Sequence, residues 1–145
     1  MFVGRALVEA LQEMPQYEVT LFNRGKSNST LFPTLKQLHG NRETDHIQVI
    51  LNETWDCIID FSGYYPLTFE KLLSQLSDKV GRYIFISTVS VYNVEAFGGK
   101  PITETDTTLV CDEATKISKL PHGYGEKKAE MERILLYQTQ MDKTI

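Results

Sequence analysis

The chain has 145 residues, 41% hydrophobic and 23% charged, an ordinary globular usage that excludes wholesale disorder. Fifteen Lys and Arg against nineteen Asp and Glu leave a net charge of −4, which gives no general electrostatic grip on nucleic acid or an anionic membrane. No apolar run reaches the ~18–20 residues that span a bilayer, and no basic-then-apolar leader opens the chain, so the expectation is a cytoplasmic protein with one domain over residues 1–145.

Residues 3–14 place Val3, Leu7, Val8 and Leu11 at helical spacing, and Pro15 closes that amphipathic helix. Glu18 to Phe22 is a short β-type run ended by Asn23-Arg24-Gly25, and Lys26 to Pro33 reads as a polar loop. Leu35 to Leu38 is a brief strand stopped by Gly40, and residues 44–52 form a short helix with Ile47, Ile50 and Leu51 apolar. Trp55 to Phe61 is a near-continuous apolar run, the pattern of a strand buried on both faces. Leu67 to Leu76 supplies Phe69, Leu72, Leu73 and Leu76 to one helix face, and Tyr83 to Ile86 is a second doubly buried strand. Residues 93–121 read as irregular, and a last helix over 123–138 carries Met131, Ile134 and Leu135. Helices alternating with strands in this way predict a parallel sheet wrapped by crossover helices.

Cys57, in an apolar run, reads as a small buried hydrophobe, and Cys111 lies in a polar loop. No Cys/His pair has zinc-ligand spacing, and His39, His46 and His122 read as surface or loop residues, so no metal is expected.

Four local features carry chemistry. Gly4 precedes the first helix, where a glycine permits close packing and puts a helix N-terminus against a pyrophosphate. Asn23-Arg24 ends the second β position; a guanidinium there suits a ribose 2′-phosphate, and Lys26 adds charge. Ser87-Thr88-Val89-Ser90-Val91-Tyr92 puts hydroxyls at the carboxyl end of a buried strand, where open α/β sheets bind ligands. Tyr124 and Lys128 are four apart, on one face of the last helix, and an ammonium beside a phenol favours the phenolate that general acid–base work needs.

In this order the four features resemble the short-chain dehydrogenase/reductase superfamily. They are most similar to its extended and atypical branch, the NAD-dependent epimerase/dehydratase family. Phe2 to Arg5, Val19 to Gly25, Trp55 to Asp60, Ser87-Thr88 with Val91-Tyr92, and Tyr124-Gly125 with Lys128 carry the resemblance, over residues 2–138. It implies Tyr124 as catalytic acid/base and Thr88 as the hydroxyl that hydrogen-bonds the substrate oxygen. Lys128 would be both a catalytic and a cofactor-binding residue, holding the nicotinamide ribose and lowering the pKa of Tyr124. Gly4, Asn23, Arg24 and Gly63 would complete the cofactor contacts. The implied cofactor is NADP or NAD, with NADP favoured by Asn23-Arg24. The implied substrate is a small molecule with a carbinol carbon, a nucleotide-sugar being the family's characteristic class. The family also forms homodimers through helices like those at 66–77 and 123–138.

The opening strand, two glycines of the phosphate turn, the later strands and the C-terminal substrate domain of that family have no counterpart in the sequence. Gly40-Asn41-Arg42 lacks the acidic residue that often follows the third strand of the family. The expected fold is therefore α/β, a Rossmann-like doubly wound parallel sheet truncated at both ends. The expected chain is a fragment of a larger NAD(P)-dependent enzyme, inactive in isolation and marginally stable because strand edges are left unpaired. The alternatives are a non-catalytic RNA-binding or scaffold protein of the atypical branch, or an inactive remnant. Net charge and the Tyr124/Lys128 pair weigh against RNA.

Overall fold

A computed structural model describes residues 3–26 and 30–141. Phe2, and residues 27–29 of the expected loop, lie outside the described residues. The chain divides into two compact units, Met1–Glu53 and Thr54–Ile145.

In the first unit, helix α1 (Val3–Gln12) carries the expected apolar stripe but stops two residues early. Its end tightens into three-residue closures, Glu13 N–H to the Ala10 carbonyl at 3.3 Å and Met14 N–H to Leu11 at 3.0 Å. Pro15 disfavours helical backbone at Met14, so the last turn closes in this way. Leu7, Val8 and Leu11 are only half-buried and Val3 remains 67% exposed, whereas Gly4 is buried. Strand β1 (Thr20–Asn23) pairs in parallel with β2 (Lys36–His39), Thr20 opposite Lys36 and Asn23 opposite His39. The amide of Gln37 donates to the carbonyls of Leu31 at 3.1 Å and Phe32 at 3.3 Å, tying the connecting segment down. A 3₁₀ turn (Asp45–Ile47) leads into α2 (Gln48–Leu51), and together they bury Ile47, Ile50 and Leu51 as this unit's core. Gly40 is required where the chain leaves β2, since a Cβ there would stand 2.7 Å from the ring of Phe22 and strike the His46 carbonyl.

In the second unit, β3 (Ile58–Asp60) and β4 (Tyr83–Phe85) pair in parallel, Ile58 opposite Tyr83 and Asp60 opposite Phe85. Helix α3 (Pro66–Leu76) crosses between them, with Pro66 in its first turn, where no intrahelical N–H is needed. It buries Phe69, Leu72, Leu73 and Leu76, and the Phe69 ring lies 4.8 Å from Phe85 and 5.9 Å, edge-on, from Tyr83. Helix α4 (Glu113–Ile117) and helix α5 (Tyr124–Met141) complete the unit, α5 packing on α3 and contributing buried Ala129, Met131 and Ile134.

The fold class is thus α/β with two short parallel sheets of two strands each. Several expectations need correction. Neither strand of the second unit is buried on both faces: Cys57 is exposed, Ile58 and Ile59 are half-buried, and Ile84 is 38% exposed. Alternation turns Tyr83 and Phe85 towards Phe69 and puts Ile84 on the opposite face, so an apolar run reported β-propensity but not a second covering layer. The ladder is also shorter than the run, with Trp55 joined only by an isolated bridge to Val80. Residues 93–121 are not wholly irregular, since they hold α4 and a 3₁₀ turn at Val94–Phe97. Among the described residues, no helix is long and apolar enough to cross a membrane.

Candidate functional site

The parallel strands β3 and β4 set the site at their carboxyl ends. Asp60, the last residue of β3, is 6% exposed. Its carboxylate accepts the Ser62 N–H at 2.8 Å and the Tyr83 hydroxyl at 2.7 Å, forming a local turn that aims the chain into Gly63. A side chain at Gly63 is excluded, because its Cβ would stand 2.8 Å from the Phe85 ring and 3.3 Å from Asp60 Oδ2. After β4, Ile86 N–H donates to the Asp60 carbonyl at 3.0 Å, extending the ladder by one bond. Thr88 then caps a 3₁₀ turn (Val89–Val91), its Oγ1 accepting the Ser90 N–H at 3.3 Å.

Helix α5 begins at Tyr124, behind Gly123 in the left-handed region at φ 67°. Gly125 lets the first turn lie directly on the Ser90 carbonyl, where any Cβ would collide. Tyr124 is 43% exposed, with its ring 6.3 Å from that of Tyr64. Lys128, one turn on, is 2% exposed. Its ammonium donates to the Ile86 carbonyl at 2.6 Å and the Gly63 carbonyl at 3.3 Å, and lies 3.8 Å from the centre of the Phe85 ring. Two carbonyl dipoles and a π face thus help offset the desolvation of the charge and tie both strand ends to the first turn of α5. The neighbouring Lys127 is equally buried and donates to the Leu120 carbonyl at 2.6 Å.

Of the residues expected at a site, Gly63 and Lys128 are therefore in contact, and Thr88 and Tyr124 stand on the turn and helix end that pack together through Gly125 and Ser90. Asn23 and Arg24 lie in the first unit at the carboxyl end of β1, and Gly4 is in the first turn of α1. Asn23 Oδ1 accepts the Gly25 N–H at 2.7 Å and lies 3.3 Å from His39 Nδ1. Arg24 borders an open cleft of about 540 Å³ with Lys26, His39 and His46.

Sequence reasoning missed Asp60 and Tyr83, which fix the Gly63 turn, and the burial of both lysines. The signal for the first was a carboxylate closing an apolar strand just before Ser-Gly. It also separated His39 from His46, which the fold brings to one cleft. Among the described residues, no group of three His, Cys, Asp or Glu could hold a metal ion. No family model, curated protein or solved structure matches the chain.

Proposed function

We infer that the chain carries the nucleotide-binding part of an NAD(P)-dependent oxidoreductase, epimerase or dehydratase built on a Rossmann-like sheet. The observation that carries this reading is Lys128, buried one helical turn after a half-exposed Tyr124 and bonded to the main chain at the ends of two parallel strands. The strand pairing adds support: β1 with β2 and β3 with β4, both parallel, are the pairs that the doubly wound order 3-2-1-4-5 keeps on either side of its opening strand.

Each unit, taken by itself, has residues that would suit one end of the cofactor. At the carboxyl edge of β3 and β4, Gly63 leaves room for a close backbone approach, and the buried Ser87 Oγ has no hydrogen-bond partner among the described residues. In the first unit, Arg24 and Lys26 offer cations to a phosphate. When bound, the nicotinamide supplies the acceptor or donor of a hydride exchanged with a carbinol carbon. Tyr124 would take the proton of that carbinol on its phenolate oxygen, or return it from its hydroxyl, and its exposure allows this. Thr88 Oγ1 orients the same oxygen by a hydrogen bond. Lys128 positions the first turn of α5 and supplies positive charge behind the phenol. A small carbinol, such as that of a nucleotide-sugar, is the substrate class this chemistry takes.

The test is a charge reversal in the first unit. Arg24→Asp is expected to weaken NADPH binding about tenfold, the range of a charge-assisted bond, while leaving NADH unchanged. Equal loss for both cofactors contradicts the assignment of Arg24, and no binding of either by the parent chain contradicts the reading itself.

A further inference from the structure

Two large aromatic side chains stand half-exposed beside each other at the carboxyl edge of β3 and β4: Tyr64, 49% exposed, and Tyr124, 43% exposed. Tyr64 follows the Gly63 turn beyond β3, and Tyr124 opens α5. Their ring centroids are 6.3 Å apart with the planes at 40°, neither stacked nor edge-on. A pair that does not close on itself keeps π surface for a third group. Both rings stand on backbone that is fixed from behind. The Lys128 ammonium donates to the Gly63 carbonyl, one residue before Tyr64, at 3.3 Å. Lys127, also buried, places its ammonium 5.6 Å from the centre of the Tyr65 ring, one residue after Tyr64, and donates to the Leu120 carbonyl at 2.6 Å. Adjacent lysines therefore tie the segments on either side of Tyr64 to the first turn that carries Tyr124. Little conformational freedom is then left to lose when a ligand meets the pair.

We propose that Tyr64 contacts the substrate and selects its shape: its ring supports the C–H face of a saturated ring that bears the reacting carbinol, while Tyr124 meets the carbinol oxygen. The inference rests on the reading above for the reacting group alone, and adds the residue that separates ring-shaped carbinols from open-chain ones. The neighbouring side chains suit such a ligand. Thr88 and Ser90, on the turn that packs against the start of α5, carry neutral hydroxyls, as do Tyr64 and Tyr124. A saturated ring edged with hydroxyls offers an apolar face to a π surface and a polar rim to these groups. The ammonium groups of Lys127 and Lys128 disfavour a cationic ligand, and both are engaged with main-chain carbonyls. An open-chain polyol presents no such face and must freeze several torsions to lie against the pair.

The experiment follows the 145-residue chain by amide and saturation-transfer NMR with methyl β-glucopyranoside and with sorbitol, each with and without NADPH, beside the variants Tyr64→Leu and Tyr64→Phe. Tyr64 is exposed and Tyr64→Phe retains its ring, so a loss confined to Tyr64→Leu reports the ring rather than a damaged fold. The expected result is shifts at Tyr64 and Tyr124, saturation strongest at the ring C–H protons of the pyranoside, and pyranoside binding about fivefold tighter than that of sorbitol. Tyr64→Leu is expected to weaken the pyranoside about fivefold, and Tyr64→Phe less than about twofold. Pyranoside binding unchanged in Tyr64→Leu, equal binding of sorbitol, or no shift at Tyr64 under either condition overturns the proposal. NADPH separates the two readings. NADPH binding without pyranoside contact at Tyr64 overturns the proposal and leaves the cofactor reading standing; pyranoside held at Tyr64 without NADPH binding keeps the contact and overturns the cofactor reading.

Discussion

Tyr124 and Lys128 illustrate how four residues of spacing are divided between exposure and burial. The phenol stands at the open end of α5, while the ammonium one turn later is enclosed and bonded to Gly63 and Ile86. Lys128 therefore fixes the helix start on the strand ends, whatever the charge role that the resemblance implies for it. Tyr124→Phe keeps the ring beside Tyr64 and removes only the hydroxyl. In a protein in which this chain turns over, it is expected to lower hydride-transfer rates at least about 100-fold, with NADPH affinity changed less than about twofold. Initial rates and a fluorescence titration of the dihydronicotinamide check both halves, and retained turnover contradicts the role of the phenol. The cysteines differ just as sharply. Cys57 is exposed, whereas burial, with Glu130 and Asp112 close by, pushes the Cys111 thiol up and keeps it protonated. Alkylation by iodoacetamide at neutral pH is therefore expected at Cys57 first, as read by peptide mass; faster labelling of Cys111 contradicts the burial.

At the scale of elements, α4 shows what holds a helix of five residues that is too short to stand alone. Asp112 caps it, accepting the Thr115 N–H at 2.6 Å, and these bonds to Thr115 hold the carboxyl below its usual range. Lys116, at its other end, meets Glu130 of α5 at 3.2 Å, and Arg133 meets the same carboxylate at 3.0 Å. Burial works against the charge of Glu130, but hydrogen bonds and charge from Arg133 and Lys116 outweigh it, leaving its pKa lowered. The hydrogen bond to Glu130 is the main cause that raises Lys116. Because the folded carboxyl titrates low, its contribution is present above the ordinary carboxylate range and is lost as pH falls through the folded value. Because Lys116 titrates high, its share is complete below the ordinary lysine value and is lost as pH rises through the folded one. Glu130→Gln is thus expected to flatten the acid limb of a stability-versus-pH curve from chemical denaturation. An unchanged acid limb contradicts the clamp.

The sequence made the elements legible where periodicity ran long, as in α1, α3 and α5. It was weaker where context decides. In α4, an Asp112 cap three residues before Thr115 was present, but only two apolar residues followed, and tertiary packing made the helix. Ile84 and Ile86 showed that β-branched runs do not reveal how many faces will be covered. Tyr124 and Lys128 could be put on one helix face from their spacing alone, whereas Thr88 and Gly63 were singled out by the family resemblance. The Asp60–Tyr83 bond depends on pairing between strands distant in sequence, which no local pattern encodes, and His39 and His46 share a cleft because the chain turns back after β2.

For the whole molecule, two parallel pairs of strands make up the described sheets, so each of the four strands has one edge without a ladder partner among the described residues. Net charge of −4 gives modest protection against association through such edges. In the proposed reading Gly63, Thr88 and Tyr124 are nicotinamide contacts within the second unit, and Asn23 and Arg24 are adenosine contacts within the first. The most direct measurement is an amide NMR titration of the 145-residue chain with NADPH. The account predicts shifts at Gly63, Ser87, Thr88 and Gly125 in the second unit and at Asn23, Arg24 and Gly25 in the first. A spectrum unchanged at millimolar NADPH, or shifts confined to residues remote from both strand ends, would contradict it.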